Sequence, residues 1–184
     1  MFSSIRKSFG NFYFRKELEK ISRERKYSNF HDARQIGILY ELNEPEDYDI
    51  IAAFVASLQQ EHKEVKALGF VRSKNMLIRF LPKLSFDFFS SKDLNWYMKP
   101  GHGKVKDFMS KKFDFLIDLS LTDNLPLKYI SGLSAARCRI GKFEEKNKDC
   151  YDFMLSISSG TSLDNYIKQV THYLTIINTN ADQG

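Results

Sequence analysis

Phe113–Leu119 (FDFLIDL) constrains the fold more than any other stretch of the chain. Its apolar side chains occupy both alternating sets of positions, so neither face is left for water. A strand of that kind belongs inside a parallel sheet covered on both sides by helices. Gln35–Tyr40 (QIGILY) has the same character, and Val65–Val71 and Leu84–Phe89 read as further strands. Helical stripes alternate with them. Tyr48–Glu61, after the acidic loop Glu41–Asp49, carries apolar residues at 50, 51, 54, 55 and 58. Lys74–Leu81 reads as a short helix stopped by Pro82, and Lys104–Lys111 as another. Leu125–Leu133 is a third; the strands Arg137–Ile140 and Asp152–Ser156 flank the charged loop Lys142–Asp149. Leu163–Ile177 closes the chain with a regular apolar stripe, capped by Thr161 or Ser162. The alternation predicts one Rossmann-like α/β domain over 31–184: a mostly parallel sheet with helices on both faces.

Residues 1–30 are different. They hold eight cations and three anions, while the other 154 residues hold twenty of each, so the whole net charge of +5 belongs to this leading arm. Apolar residues at 2, 5, 9, 12, 14, 18 and 21 predict a basic amphipathic helix, with Gly10 as a point of interruption. The polar junction Ser28–Asp32 separates the arm from the first strand.

Several classes of protein do not fit. No stretch approaches 18 consecutive apolar residues, and the start has no apolar core of a secretory signal. Cys138 and Cys150 form no C-x-x-C pair, consistent with reduced thiols in a cytoplasmic protein. His31, His62, His102 and His172 are scattered, with no metal spacing and no Ser/His arrangement around them. No cofactor motif is present. Gly101-His102-Gly103-Lys104 fails the phosphate-loop pattern, because Met98 and Val105 stand at positions that pattern assigns to Gly and Ser/Thr.

At Lys112–Phe143 the chain resembles a segment of the heptosyltransferase family, in which a strand ending in I-D-L is followed by a helix and an L-S-G-A-x-x-R-I-G stretch. The matching pieces are Phe113–Leu119 and Leu133–Gly141. The resemblance implies the N-terminal Rossmann-like half of a GT-B glycosyltransferase and covers about 30 residues. That family carries a Gly-rich turn after its first strand; Tyr40–Asp47 contains no glycine. The chain also resembles a family of short uncharacterised bacterial proteins through Tyr151–Leu155 (YDFML), Tyr166-Ile167-x-Gln169-Val170 and Tyr173-Leu174. This second resemblance implies no function.

Two places attract functional readings. Asp118, at the end of a central strand, and Ser159-Gly160-Thr161, before the last helix, form a candidate ligand site, since α/β proteins bind ligands at strand carboxyl ends and helix N-termini hold anions. Asp123 makes an acid/base pair with Asp118 conceivable, while bracing of a loop is the plainer role. In the arm, Arg6, Lys7, Arg15, Lys16, Arg23, Arg25 and Lys26 are interleaved with Phe9, Phe12, Tyr13 and Phe14. Such a set suits phosphates and stacked bases, an anionic membrane surface, a targeting peptide, or a helix docked on its own domain. The expectation is a non-catalytic binding protein whose arm contacts an anionic partner, RNA or the ribosome before a membrane. A glycosyltransferase-related or nucleotide-binding protein is the alternative.

Overall fold

The computed structural model describes residues 2–72, 84–101 and 103–177. Six strands form one wholly parallel sheet: β1 (Gln35–Leu42), β2 (Glu64–Val71), β3 (Phe86–Ser90), β4 (Phe115–Asp118), β5 (Cys138–Lys142) and β6 (Phe153–Leu155). Their spatial order is β3-β2-β1-β4-β5-β6. This is the Rossmann order, with its switch point between β1 and β4. Ile36 faces Phe115 and Leu39 faces Asp118 across that seam, so the two longest apolar runs lie side by side at the sheet's centre.

The described residues form five α-helices: α1 (Phe2–Leu18), α2 (Pro45–Gln60), α3 (Lys104–Ser110), α4 (Leu125–Leu133) and α5 (Leu163–Ile176). On one face α2 and α5 pack over Ile36, Ile38, Tyr40, Phe115 and Ile117; on the other α3 and α4 cover Leu39, Leu68 and Leu116. The alternation along β1 and β4 thus buries every second residue in a different core, as the unbroken apolar runs require. The predicted helix at 74–81 lies outside the described residues.

Several boundaries move for local reasons. α2 begins at Pro45, inside the stretch expected to be an acidic loop. Proline suits the first helical position, and Asp47 accepts hydrogen bonds from the backbone N–H groups of Asn43 and Glu44 at 3.0 Å each. Phe30 falls across the expected arm boundary: it is buried in the main core, 5.6 Å from the Phe115 ring. The buried Lys63 ammonium ties the same stretch down by donating to the carbonyls of Phe30 and Ala33 at 2.7 and 3.2 Å.

The arm is not helical throughout. Helix α1 ends at Leu18, and residues 21–29 run without regular structure along the body. Gly10 does not interrupt α1. It is the point of closest approach: a Cβ there would collide with the Tyr97 carbonyl and Leu125, and its own carbonyl accepts the Tyr129 hydroxyl at 2.7 Å. Phe14, one turn on, is buried with its ring 4.9 Å from Tyr129. α1 therefore forms a third layer, outside α4.

Candidate functional site

The carboxyl edge of the sheet is the usual ligand site of this topology. Here its carboxylates are answered from within the chain. Asp118, at the end of β4, is fully buried. Its Oδ1 accepts from the Ser120 backbone N–H at 3.0 Å and the Ser120 hydroxyl at 2.5 Å, and its Oδ2 from the Tyr151 hydroxyl at 2.7 Å. Tyr151 reaches it by lying flat over Gly141 of β5, where a Cβ would come within 2.5 Å of the ring. Burial pushes the Asp118 carboxyl above the usual carboxylate range, against the opposing hydrogen bonds from Ser120, Tyr151 and Ser131. The cavity beside it measures about 10 Å³, room for one water.

Helix N-termini at this edge are closed in the same manner. Asp47 caps the chain entering α2, the Asn124 side chain accepts from Leu127 N–H at 3.2 Å, and the Ser162 hydroxyl accepts from Asn165 N–H at 3.3 Å. Ser159 and Gly160 are exposed, Gly160 has φ +81°, and Thr161 bonds back to the Ser158 carbonyl through both its N–H and its hydroxyl. The 159–161 turn lines no part of the cavity beside Asp118.

Asp123 has the opposite electrostatics. Burial would push it up, but hydrogen bonds from Lys128, Lys146 and Lys7, reinforced by the Lys128 charge, outweigh that and hold its carboxyl well below the usual range. Lys7 and Lys146 lie 3.2 and 2.7 Å away. Asp123 thus ties α1, α4 and the 144–148 segment together. A second tie is Asp152, whose carboxylate takes both oxygens to Arg23 and lies 3.6 Å from Arg25. It also accepts the Arg139 backbone N–H at 2.8 Å. Arg23 caps the carbonyls of Ala136 and Arg137 at 3.0 and 2.8 Å as well.

Between these ties runs a groove of about 1510 Å³. The arm forms one wall and the β5–β6 connection, 143–152, the other; no α-helix occupies that connection. Seven cations and five acids line it. Arg23, Lys128 and Arg139 are buried, whereas Arg15 and Arg25 on the arm and Lys146 and Lys148 opposite are exposed. Tyr27, also exposed, stands on the arm wall.

The structure thus sorts the seven arm cations. Lys7, Arg23 and Arg25 meet acids of the body. Arg6 donates to the Trp96 carbonyl at 2.6 Å, and Lys16 sits 4.5 Å over the Phe12 ring. Arg15 and Lys26 have no ion pair among the described residues. Sequence reasoning singled out neither Lys146 and Lys148 nor the partner acid Asp152; only the cluster of charge at 142–149 marked that region. Among the described residues, no group of three or more His, Cys, Asp or Glu side chains is placed to hold a metal. Both cysteines are buried free thiols, raised by that burial to about 12 for Cys138 and about 11 for Cys150. No helix among the described residues is long and apolar enough to cross a membrane.

Residues 6–177 match the model of DUF6913, a family of unknown function. The chain belongs to that family. Comparison with curated proteins gave no match, and comparison with solved structures gave none.

Proposed function

We propose that this is a cytoplasmic, non-catalytic RNA-binding protein, the ribosome being one setting for such RNA, and that the groove between the arm and residues 143–152 receives a single strand. One observation carries the reading: exposed cations line both walls of one open groove, Arg15 and Arg25 facing Lys146 and Lys148, with the Tyr27 ring beside them. Arginines and lysines along a groove follow a phosphate backbone, and an exposed ring gives a base a surface to stack on. The pair that holds Lys148, with Glu145, is exposed to water on both sides, where an ion pair contributes only about 0–1 kcal/mol, so a phosphate replaces it at little cost. The closed carboxyl edge favours this over the sugar-nucleotide reading, since the α2 N-terminus already faces its own carboxylates.

Deleting residues 1–30 is a poor test, because Phe14 and Phe30 are part of the packed body. Point variants of the full chain serve better. Titrating a fluorescent single-stranded RNA should give log K falling against log salt with a slope of about −3 for four phosphates. Arg15→Gln and Lys148→Gln should each flatten that slope while the unfolding midpoint stays put. A slope near zero, or one indifferent to both substitutions, rejects the groove. Saturable binding of a sugar nucleotide in its place would support the glycosyltransferase-related alternative.

A further inference from the structure

Helix α1 has a second apolar stripe, and it faces away from the protein. Gly10 and Phe14 turn inward, whereas Ile5, Phe9 and Phe12, spaced four and three apart, turn outward and are 50, 46 and 52% exposed. Trp96, 57% exposed, extends the stripe across to the neighbouring 94–100 turn. Its ring lies 5.4 Å from Phe9, and that of Tyr97 lies 4.8 Å from Tyr13. The turn is built to hold this position. The Asn95 side chain accepts the N–H groups of Tyr97 and Lys99 at 3.1 and 2.9 Å, and Met98 takes the strained left-handed conformation at φ +69°.

We infer that this crest is a docking surface for an anionic lipid bilayer. Four aromatic or aliphatic side chains half-exposed in one patch are unusual on a water-facing surface. Rings and an indole on one side of a helix flanked by cations are the composition of a helix lying in the membrane interface. The charge fits the same occupant. α1 carries Arg6, Lys7, Arg15 and Lys16 against a single acid, Glu17, and Glu17 is bound to Lys99 at 2.5 Å. Lys16 leans over the Phe12 ring at the edge of the crest, so an anionic headgroup meets a cation where the rings enter. The helix's inner face is already fixed to α4, so docking needs no refolding. The crest meets the groove only at Phe12; Ile5, Phe9 and Trp96 do not line it, so substitutions at those positions test the crest apart from the groove.

Trp96 is the only tryptophan in the chain and sits within the patch, so the protein carries its own probe. The full-length protein is titrated with vesicles of phosphatidylcholine alone and of phosphatidylcholine with phosphatidylglycerol, following tryptophan emission and co-sedimentation. The expected result is a blue shift and co-sedimentation with the anionic vesicles only. Ile5→Ser combined with Phe9→Ser should weaken that binding by about tenfold or more. Lys16→Gln should weaken it by about fivefold, the share of one cation at a charged surface. Both variants should keep the wild-type unfolding midpoint and RNA titration. Absence of binding to anionic vesicles overturns the inference, as does binding that the crest variants leave unchanged. Light scattering that shows a dimer dissolved by Ile5→Ser/Phe9→Ser assigns the crest to a second copy and overturns it too.

Discussion

The carboxyl edge of the sheet and the groove under the arm are both rich in charge, yet they handle it differently. At the edge, the carboxylates have partners close in sequence or packed against them: Asp118 has Ser120 and Tyr151, and Asp47 has the backbone of Asn43 and Glu44. Along the groove the strong ties, Asp123 and Asp152, are spent on holding the walls together, and exposed cations stand between them. A buried polar group must be satisfied at folding and has little left for a ligand. An exposed one gives up its partner cheaply. The usual position of a site in this topology and the groove proposed here therefore lie apart in this molecule, and the Rossmann order by itself does not locate function.

If the groove's ties are structural, cutting one should cost far more than removing a cation between them. The largest effect is expected for Arg23→Ala. Its guanidinium and the Asp152 carboxylate are almost completely buried, and removing one partner strands the other charge. The expected cost is about 3–5 kcal/mol in urea unfolding; a loss below about 1 kcal/mol would make the tie an ordinary surface pair. Phe14→Ala comes next. It removes the ring that seats α1 on Tyr129, at about 3 kcal/mol. The same variant should bring amide exchange in α1 to the rate of a frayed segment while α2 and α5 keep their protection. Equal loosening everywhere would mean the arm folds with the body as one unit.

A third effect separates the two regions by pH. An unfolded chain releases the aspartate proton near pH 4, but burial holds it on Asp118 to a higher pH in the fold. Over that interval the folded state binds more protons, so rising pH favours unfolding through this residue. The Asp118→Asn variant has no such proton, so the stability it loses relative to wild type should shrink as pH rises from about 4 towards neutrality. Asp123, held below the usual range, behaves oppositely: its contribution is full above the unfolded value and is lost as pH falls further. An Asp118→Asn cost that stays level or grows with rising pH would show that the carboxyl is ionised throughout, and the edge would then be less closed than its packing indicates.

The sheet was legible because period and continuity speak directly: Ile36–Tyr40 and Phe115–Ile117 run without a polar residue, which puts apolar side chains on both faces, and a covered parallel sheet accepts that. The start of α2 was hidden, because Glu44–Asp47 has a loop's composition and works as a cap only when the backbone turns there. The arm misled in an instructive way. Apolar steps of three and four from Phe2 to Ile21 read as one face, but residues 5, 9 and 12 belong to an outer stripe and 10 and 14 to an inner one. Spacing shows that a helix is apolar on two sides without saying which side is covered. Least legible of all was the groove. Lys7 meets Asp123 and Arg23 meets Asp152 across separations of 116 and 129 residues, and no local pattern encodes pairs so distant.

The smallest expected effect is the most discriminating. Lys148 lies on the wall opposite the arm, half-exposed, with Glu145 three residues before it as its partner. Such a pair contributes about 0.3–0.5 kcal/mol, so Lys148→Gln should leave the unfolding midpoint within error. In an RNA titration the same change should flatten the salt dependence by about 0.7, the release expected for one phosphate on a single strand, and weaken binding in proportion. Lys168 is the control: it makes a comparable exposed pair with Asp164, but on α5, across the sheet from the groove. Lys168→Gln should change neither quantity. If both substitutions lower RNA affinity alike, the protein attracts RNA through its net charge rather than through a groove, and the contrast between the two regions would concern packing alone.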